Sequence, residues 1–144
     1  MSIRPRSLKA VQTARTRLRD LASAGLSQAQ AEAGAAHAAA ASATAELDRA
    51  LDACEQRMRA ASITGLIRIS ADVETHRAEA RHAEVASAQA STAVREASEA
   101  LARRERELRT VDRAIELALD VTEELRAADE QRQSDDLSGR RRSS

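Results

Sequence analysis

The chain has 144 residues and a mass of 15.5 kDa, with 42% hydrophobic residues but no Phe, Tyr or Trp, so it lacks the large side chains that fill a thick globular core. Its 23 basic and 23 acidic residues are interspersed, which argues against a protein that must neutralise a run of nucleic-acid phosphates, and it has no aromatic platform on which bases could stack. Alanine, arginine, glutamate, glutamine and leucine are strong helix formers, and one proline and four glycines interrupt them, so the composition predicts an all-α fold.

In chain order, a short flexible start at Met1 to Arg4 precedes Pro5, which suits the first turn of a helix. Arm one, about 5–61, carries an apolar stripe at spacings of three and four: Leu8, Val11, Ala14, Leu18, Ala22, Leu26, Ala29, Ala33, Ala36, Ala40, Ala43, Leu47, Ala50, Cys54 and Met58. Between about 62 and 70 the texture changes. The run Ser62-Ile63-Thr64-Gly65-Leu66-Ile67-Arg68-Ile69-Ser70 is poor in alanine, rich in β-branched residues and holds a glycine, so the turn is predicted there. Arm two, about 70–133, repeats the stripe through Val73, His76, Ala80, Ala83, Ser87, Ala90, Val94, Ala97, Leu101, Arg104, Leu108, Val111, Ile115, Ala118, Thr122 and Leu125, in heptad spacing. Residues 134–144 combine Ser, Gly and a charge run and read as a flexible basic tail.

The prediction is therefore a two-helix antiparallel coiled-coil hairpin. Facing residues in such a hairpin have position numbers that add to a constant, and the expected turn sets that constant at 133–134. Leu8 then pairs with Leu125, Leu18 with Ile115 and Ala22 with Val111. A heptad seam slid by seven residues would match as well, so the stripes define phase better than register. Arms of roughly 55–60 residues would span on the order of 85 Å. A three-helix arrangement is the competing architecture, because Gly25 could end a helix and Ser27 with Gln30 could form a capping box for the next.

The sequence carries little that points to chemistry. His37, His76 and His82 never stand four apart, so no zinc site on one helix face is suggested, and no metal or cofactor is expected. Cys54 has no histidine within four positions to activate it and reads as a small seam hydrophobe. No phosphate-binding loop or nucleophile motif is present, so the chain is not expected to be an enzyme. A lone thiol, no signal peptide and no membrane-spanning run point to the cytosol. Three features are candidates for binding. The predicted tip places Ile63, Leu66, Ile67 and Ile69 at a fold-back that two helices hardly cover, although local packing would explain them equally well. The base has Arg4, Arg6, Lys9, Arg15, Arg17 and Arg19 opposite Glu116, Asp120, Glu123, Glu124 and Asp129, which also fits a solvated charged face. Arg104 is an arginine on the seam, expected to face Ala29 and to snorkel outward.

The second arm, with Ala97-Ser98-Glu99-Ala100-Leu101-Ala102-Arg103-Arg104-Glu105-Arg106-Glu107-Leu108, then Glu123-Glu124-Leu125-Arg126-Ala127-Ala128-Asp129-Glu130-Gln131 and Asp135-Asp136-Leu137, resembles the FliJ/YscO family, the small stalk proteins of flagellar and virulence-associated type III secretion ATPases. The family's usual aromatics are missing and the alanine content is higher. The resemblance implies a central stalk whose terminal end enters the pore of the hexameric export ATPase and promotes its assembly and activity. The hairpin end would project toward the export gate protein, and secretion chaperones would be further partners. It implies a cytoplasmic location peripheral to the inner-membrane secretion apparatus. Arg15, Arg19, Arg109 and Arg113 would then lie against the ATPase ring, with Ile63, Leu66 and Ile67 toward the gate. The alternative is a generic structural coiled coil forming a homodimeric four-helix bundle. Neither nucleic acid nor direct membrane insertion is expected, since an alanine stripe lacks the bulky apolar face that a membrane surface binds.

Overall fold

The computed structural model describes residues 5–143; the expected flexible start at Met1 to Arg4, the basal Arg4, and Ser144 lie outside the described residues. The chain forms two α-helices packed against each other, α1 (Pro5–Met58, 54 residues) and α2 (Ile63–Arg142, 80 residues). The all-α hairpin is the predicted fold. α1 runs unbroken through Gly25 and Gly34, and no described glycine takes a positive φ, so the three-helix arrangement is set aside. A glycine costs an α-helix about 1 kcal/mol relative to alanine, which the surrounding alanines offset.

The turn is earlier and tighter than expected. It occupies residues 59–62, and residues 63–70 are already the first two turns of α2. The cause is a serine rather than the glycine. Ser62 accepts a hydrogen bond on its side-chain Oγ from the Gly65 backbone N–H at 3.2 Å, while its carbonyl accepts the first intrahelical bond from the Leu66 N–H at 2.9 Å. That is the bonding of an N-cap residue, which satisfies one of the donors that a helix start leaves orphaned. On the other side, the Ala60 N–H bonds the Arg57 carbonyl at 3.1 Å and closes α1 with a tight turn. The isoleucines do not keep the segment out of the helix, because β-branching lowers helix propensity by only about a few tenths of a kcal/mol, less than one good cap contributes.

The other end also differs from expectation. α2 continues helically to Arg142, through the segment expected to be a flexible tail. Arm one therefore ends at Met58 rather than 61, and arm two spans 63–142 rather than 70–133.

The hairpin divides into two compact units, Ala22–Leu101 and the pair Met1–Leu21 with Ala102–Ser144. In the unit Ala22–Leu101 the seam is the predicted stripe. Ala29 and Ala33 of α1 and Val73 and Ala80 of α2 are buried, and the other stripe positions from Ala22 to Cys54 and from His76 to Leu101 are half-buried. Ala80, at 5% exposure, is the most enclosed. The register is shown by His37, whose Nδ1 contacts the Ser87 Oγ and whose Nε2 lies 3.4 Å from the Ser91 Oγ. The numbers of the closer pair, 37 and 87, add to 124.

In the terminal unit the register is the same, but the stripe is not the predicted one. Gln12 donates from Nε2 to the Asp112 Oδ1 at 2.7 Å, and Arg15 donates from Nη1 to the Glu107 Oε2 at 2.8 Å; these pairs add to 124 and 122. The expected constant of 133–134 and its pairs are thus overturned. Leu125, expected opposite Leu8, is 63% exposed. The offset of about ten residues is one heptad plus one three-residue step. Nearly every stripe position therefore still meets a stripe position, and hydrophobic matching cannot tell the two registers apart. The half-buried positions of α1 here are Leu8, Gln12, Arg15, Thr16 and Arg19, whereas Val11, Ala14 and Leu18 of the predicted stripe are exposed.

Candidate partner-binding surfaces

The turn end and the terminal end present the side chains that a partner would meet. At the turn, Ile63 is 80% exposed and Ile67 and Met58 are also exposed, while Leu66 and Ile69 are half-buried. The Ser62 cap explains the outward isoleucines. It starts the helix at Ile63; Ile63 and Ile67, one turn apart, share a face, and Leu66 and Ile69, three residues apart, lie on the adjoining half-buried face. A shallow groove of about 400 Å³ beside them is lined by Leu51, Cys54, Met58, Leu66, Ile69 and Val73 among others. Of the predicted turn-end residues, Ile63 and Ile67 are thus open, and Leu66 belongs partly to the hairpin's own packing.

At the terminal end the basic residues divide. Arg15 and Arg104 both direct guanidinium Nη1 groups at the same Glu107 oxygen, at 2.8 and 3.1 Å. Arg104, expected opposite Ala29 and snorkelling outward, instead closes this three-residue cluster; the register offset brings it level with Arg15 and Arg19. The hydrogen bond from Arg104 holds the Glu107 carboxyl below its ordinary range, partial desolvation opposes this, and the charge of Arg15 adds to the lowering. Arg19 pairs with its neighbour Asp20 at 2.9 Å. Arg109 and Arg113 stay exposed on α2. The structure therefore does not bring the four predicted arginines together as one patch: two are engaged within the protein and two are open.

Of the acidic residues expected to face the basic arm, Glu116 stays level with the start of α1, and the other four lie elsewhere. Beyond Ala118, α2 has no described residue of α1 opposite it, and every described position from Leu119 onward is exposed, including Leu119, Val121, Leu125 and Leu137. Asp120, Glu123, Glu124 and Asp129 sit on this overhang. The sequence concealed it because the assumed register ended both arms together. The sequence signal for it is Ser62 followed by an uninterrupted helical pattern, since an early turn lengthens α2 at the expense of α1.

One group of residues has metal-ligand chemistry. A ligand atom from each of Glu46 of α1 and His76 and Glu79 of α2 lies within 4.8 Å of the others, and the enclosed His76 Nδ1 has no hydrogen-bond partner, with the Glu79 Oε2 3.7 Å away. Both carboxylates are exposed and the histidine side chain is 34% exposed, so the group offers a cation little shelter from water. No helix among the described residues is long and apolar enough to cross a membrane. Compared with known proteins, the chain matches no family model, no curated protein and no solved structure.

Proposed function

We propose that the chain is a non-enzymatic helical stalk that works by binding other proteins at its two ends, as the central stalk of a type III secretion export ATPase does. The observation that carries this reading is the distribution of exposed apolar side chains. Among the described residues they cluster at Met58, Ile63 and Ile67 beside the turn and along α1 and α2 in the terminal unit, while elsewhere in the unit Ala22–Leu101, whose seam is mostly alanine, only Leu51 and Val85 among the large apolar side chains are exposed. Apolar groups left in water at an end, rimmed by charge, are what a protein partner covers. The likeness of the second arm to the FliJ/YscO family names the partners: the hexameric ATPase at the terminal end, the export gate protein at the turn, and secretion chaperones. The location would be cytoplasmic, beside the inner-membrane apparatus. Arg109 and Arg113 are the ring-facing candidates best supported by their exposure, because Arg15 would first have to leave Glu107.

Co-purification with the secretion ATPase encoded nearest to it, followed by the ATP hydrolysis rate with and without the chain, tests the reading. The expected result is a complex with raised hydrolysis that Arg109→Glu with Arg113→Glu weakens and Ile67→Asp leaves unchanged. Failure to form a complex, or a complex with no change in rate, overturns the ATPase assignment.

A further inference from the structure

The terminal unit carries two uncovered helix faces of opposite charge. On α1, Val11, Ala14, Leu18 and Leu21 recur at spacings of three, four and three, and all are exposed. They form a second stripe beside the seam rather than on it. Between residues 6 and 19 this segment has five cations, Arg6, Lys9, Arg15, Arg17 and Arg19, and no carboxylate. Arg6, Lys9 and Arg17 make no ion pair among the described residues. On α2, Leu117, Val121, Leu125 and Ala128 recur at four, four and three, and all are exposed. From Leu119 to Leu137 this helix carries seven carboxylates and two arginines.

We infer that the acidic overhang of α2 docks on the uncovered α1 stripe of a second copy of this chain, and reciprocally, so that two chains clasp through their terminal ends. The overhang leads away from the α1 stripe of its own chain, because α2 is antiparallel to α1 and stays helical from Leu119 to Arg142. In a two-fold pairing, each overhang runs parallel to the partner's α1, and one contact implies its twin. The lengths agree: residues 119–142 extend for about 36 Å and the stripe from Val11 to Leu21 needs about 15 Å, at about 1.5 Å per residue. Charge selects the partner. The α1 stripe is flanked by Arg6 and Arg17, and the overhang by Glu124 and its neighbours, so α1 against overhang is attractive while overhang against overhang brings carboxylates together. This inference stands apart from the stalk reading and needs no ATPase, although a partner ring taking up the same end would have to displace the second copy.

Sedimentation of the full chain across a concentration series in low salt gives the test. The expected result is a monomer–dimer equilibrium that weakens as salt is raised. Leu125→Glu, at a position exposed in the monomer, should raise the dissociation constant about tenfold or more, with helicity by circular dichroism unchanged. Glu124→Arg and Arg17→Glu should each weaken the dimer, and an equimolar mixture of the two variants should associate more tightly than either alone, since a mixed pair has one original and one reversed charge contact. A chain that stays monomeric overturns the inference. So does a dimer indifferent to Leu125→Glu, or a mixture no tighter than its components; either would put the dimer contact on another face.

Discussion

The unit Ala22–Leu101 and the terminal unit are built on the same two helices and the same heptad, yet they hold together by different chemistry. In the first, alanine methyl groups let the backbones approach, and the buried positions are Ala29, Ala33, Val73 and Ala80. In the second, Gln12, Arg15 and Arg19 occupy the α1 positions that the heptad turns inward, and the helices are joined by Gln12 to Asp112 and Arg15 to Glu107. The two stretches of α1 differ in where a strict spacing of three and four places apolar residues. Counting back from Ala29 in strict steps of three and four leads through Leu26, Ala22, Arg19, Arg15 and Gln12 to Leu8. Following hydrophobicity instead leads through Leu18, Ala14 and Val11, which requires a phase slip that the helix does not make. In the terminal unit the α1 positions at that strict spacing, Gln12, Arg15 and Arg19, are half-buried, and the apolar Val11, Ala14 and Leu18 are exposed.

That contrast can be broken most forcefully by volume. Ala80→Leu should cost about 1–3 kcal/mol, because a close-packed seam has no room for three further carbons and must part locally; urea unfolding followed by circular dichroism measures it. A loss below a few tenths of a kcal/mol would mean that the helices are not held at alanine distance. Next in size is the turn that closes the same unit. Ser62→Ala should cost about 1 kcal/mol by removing the N-cap, whereas Gly65→Ala should be neutral or stabilising by up to about 1 kcal/mol, since Gly65 is helical and an added Cβ would meet only ordinary contacts, 3.4 Å from Ala61 and Ser62. The opposite order of the two variants would restore Gly65 as the turn residue.

The smallest effect belongs to the terminal unit and depends on pH. The folded state holds the Glu107 carboxyl below its ordinary range, so its contribution to stability is fully present above the usual carboxylate pKa of about 4.3 and is lost as pH falls through the lower folded value. Glu107→Gln should therefore lower the melting temperature slightly at neutral pH, and the difference from the parent chain should shrink below about pH 4 and in high salt, as expected for a partly exposed pair. A difference that survives acid would assign the loss to packing rather than to charge. The corresponding change in the alanine seam, Ala80→Leu, should respond to neither condition, which separates the two units in a single pair of titrations.

The sequence by itself determined the helices and most of the seam. A chain of alanine and charged helix formers without aromatic residues has few alternatives to paired helices, and the positions from Ala22 to Cys54 and from Val73 to Ala118 are legible because period and composition agree there. The candidate surfaces were less legible. Ile63 and Ile67 stand out as large aliphatics with little to cover them, but the division of the arginines, with Arg15 and Arg104 gathered on Glu107 and Arg109 and Arg113 left open, follows from register. Only the tertiary structure decided the turn at 59–62, the register near 124, the inward Gln12 and Arg15, and the length of α2 beyond Ala118. Periodicity is unchanged when one helix slides along another by a heptad or by a step of its stripe, so it carries no information on register. The Ser62 cap marks where α2 starts, a position that the seam's period leaves open.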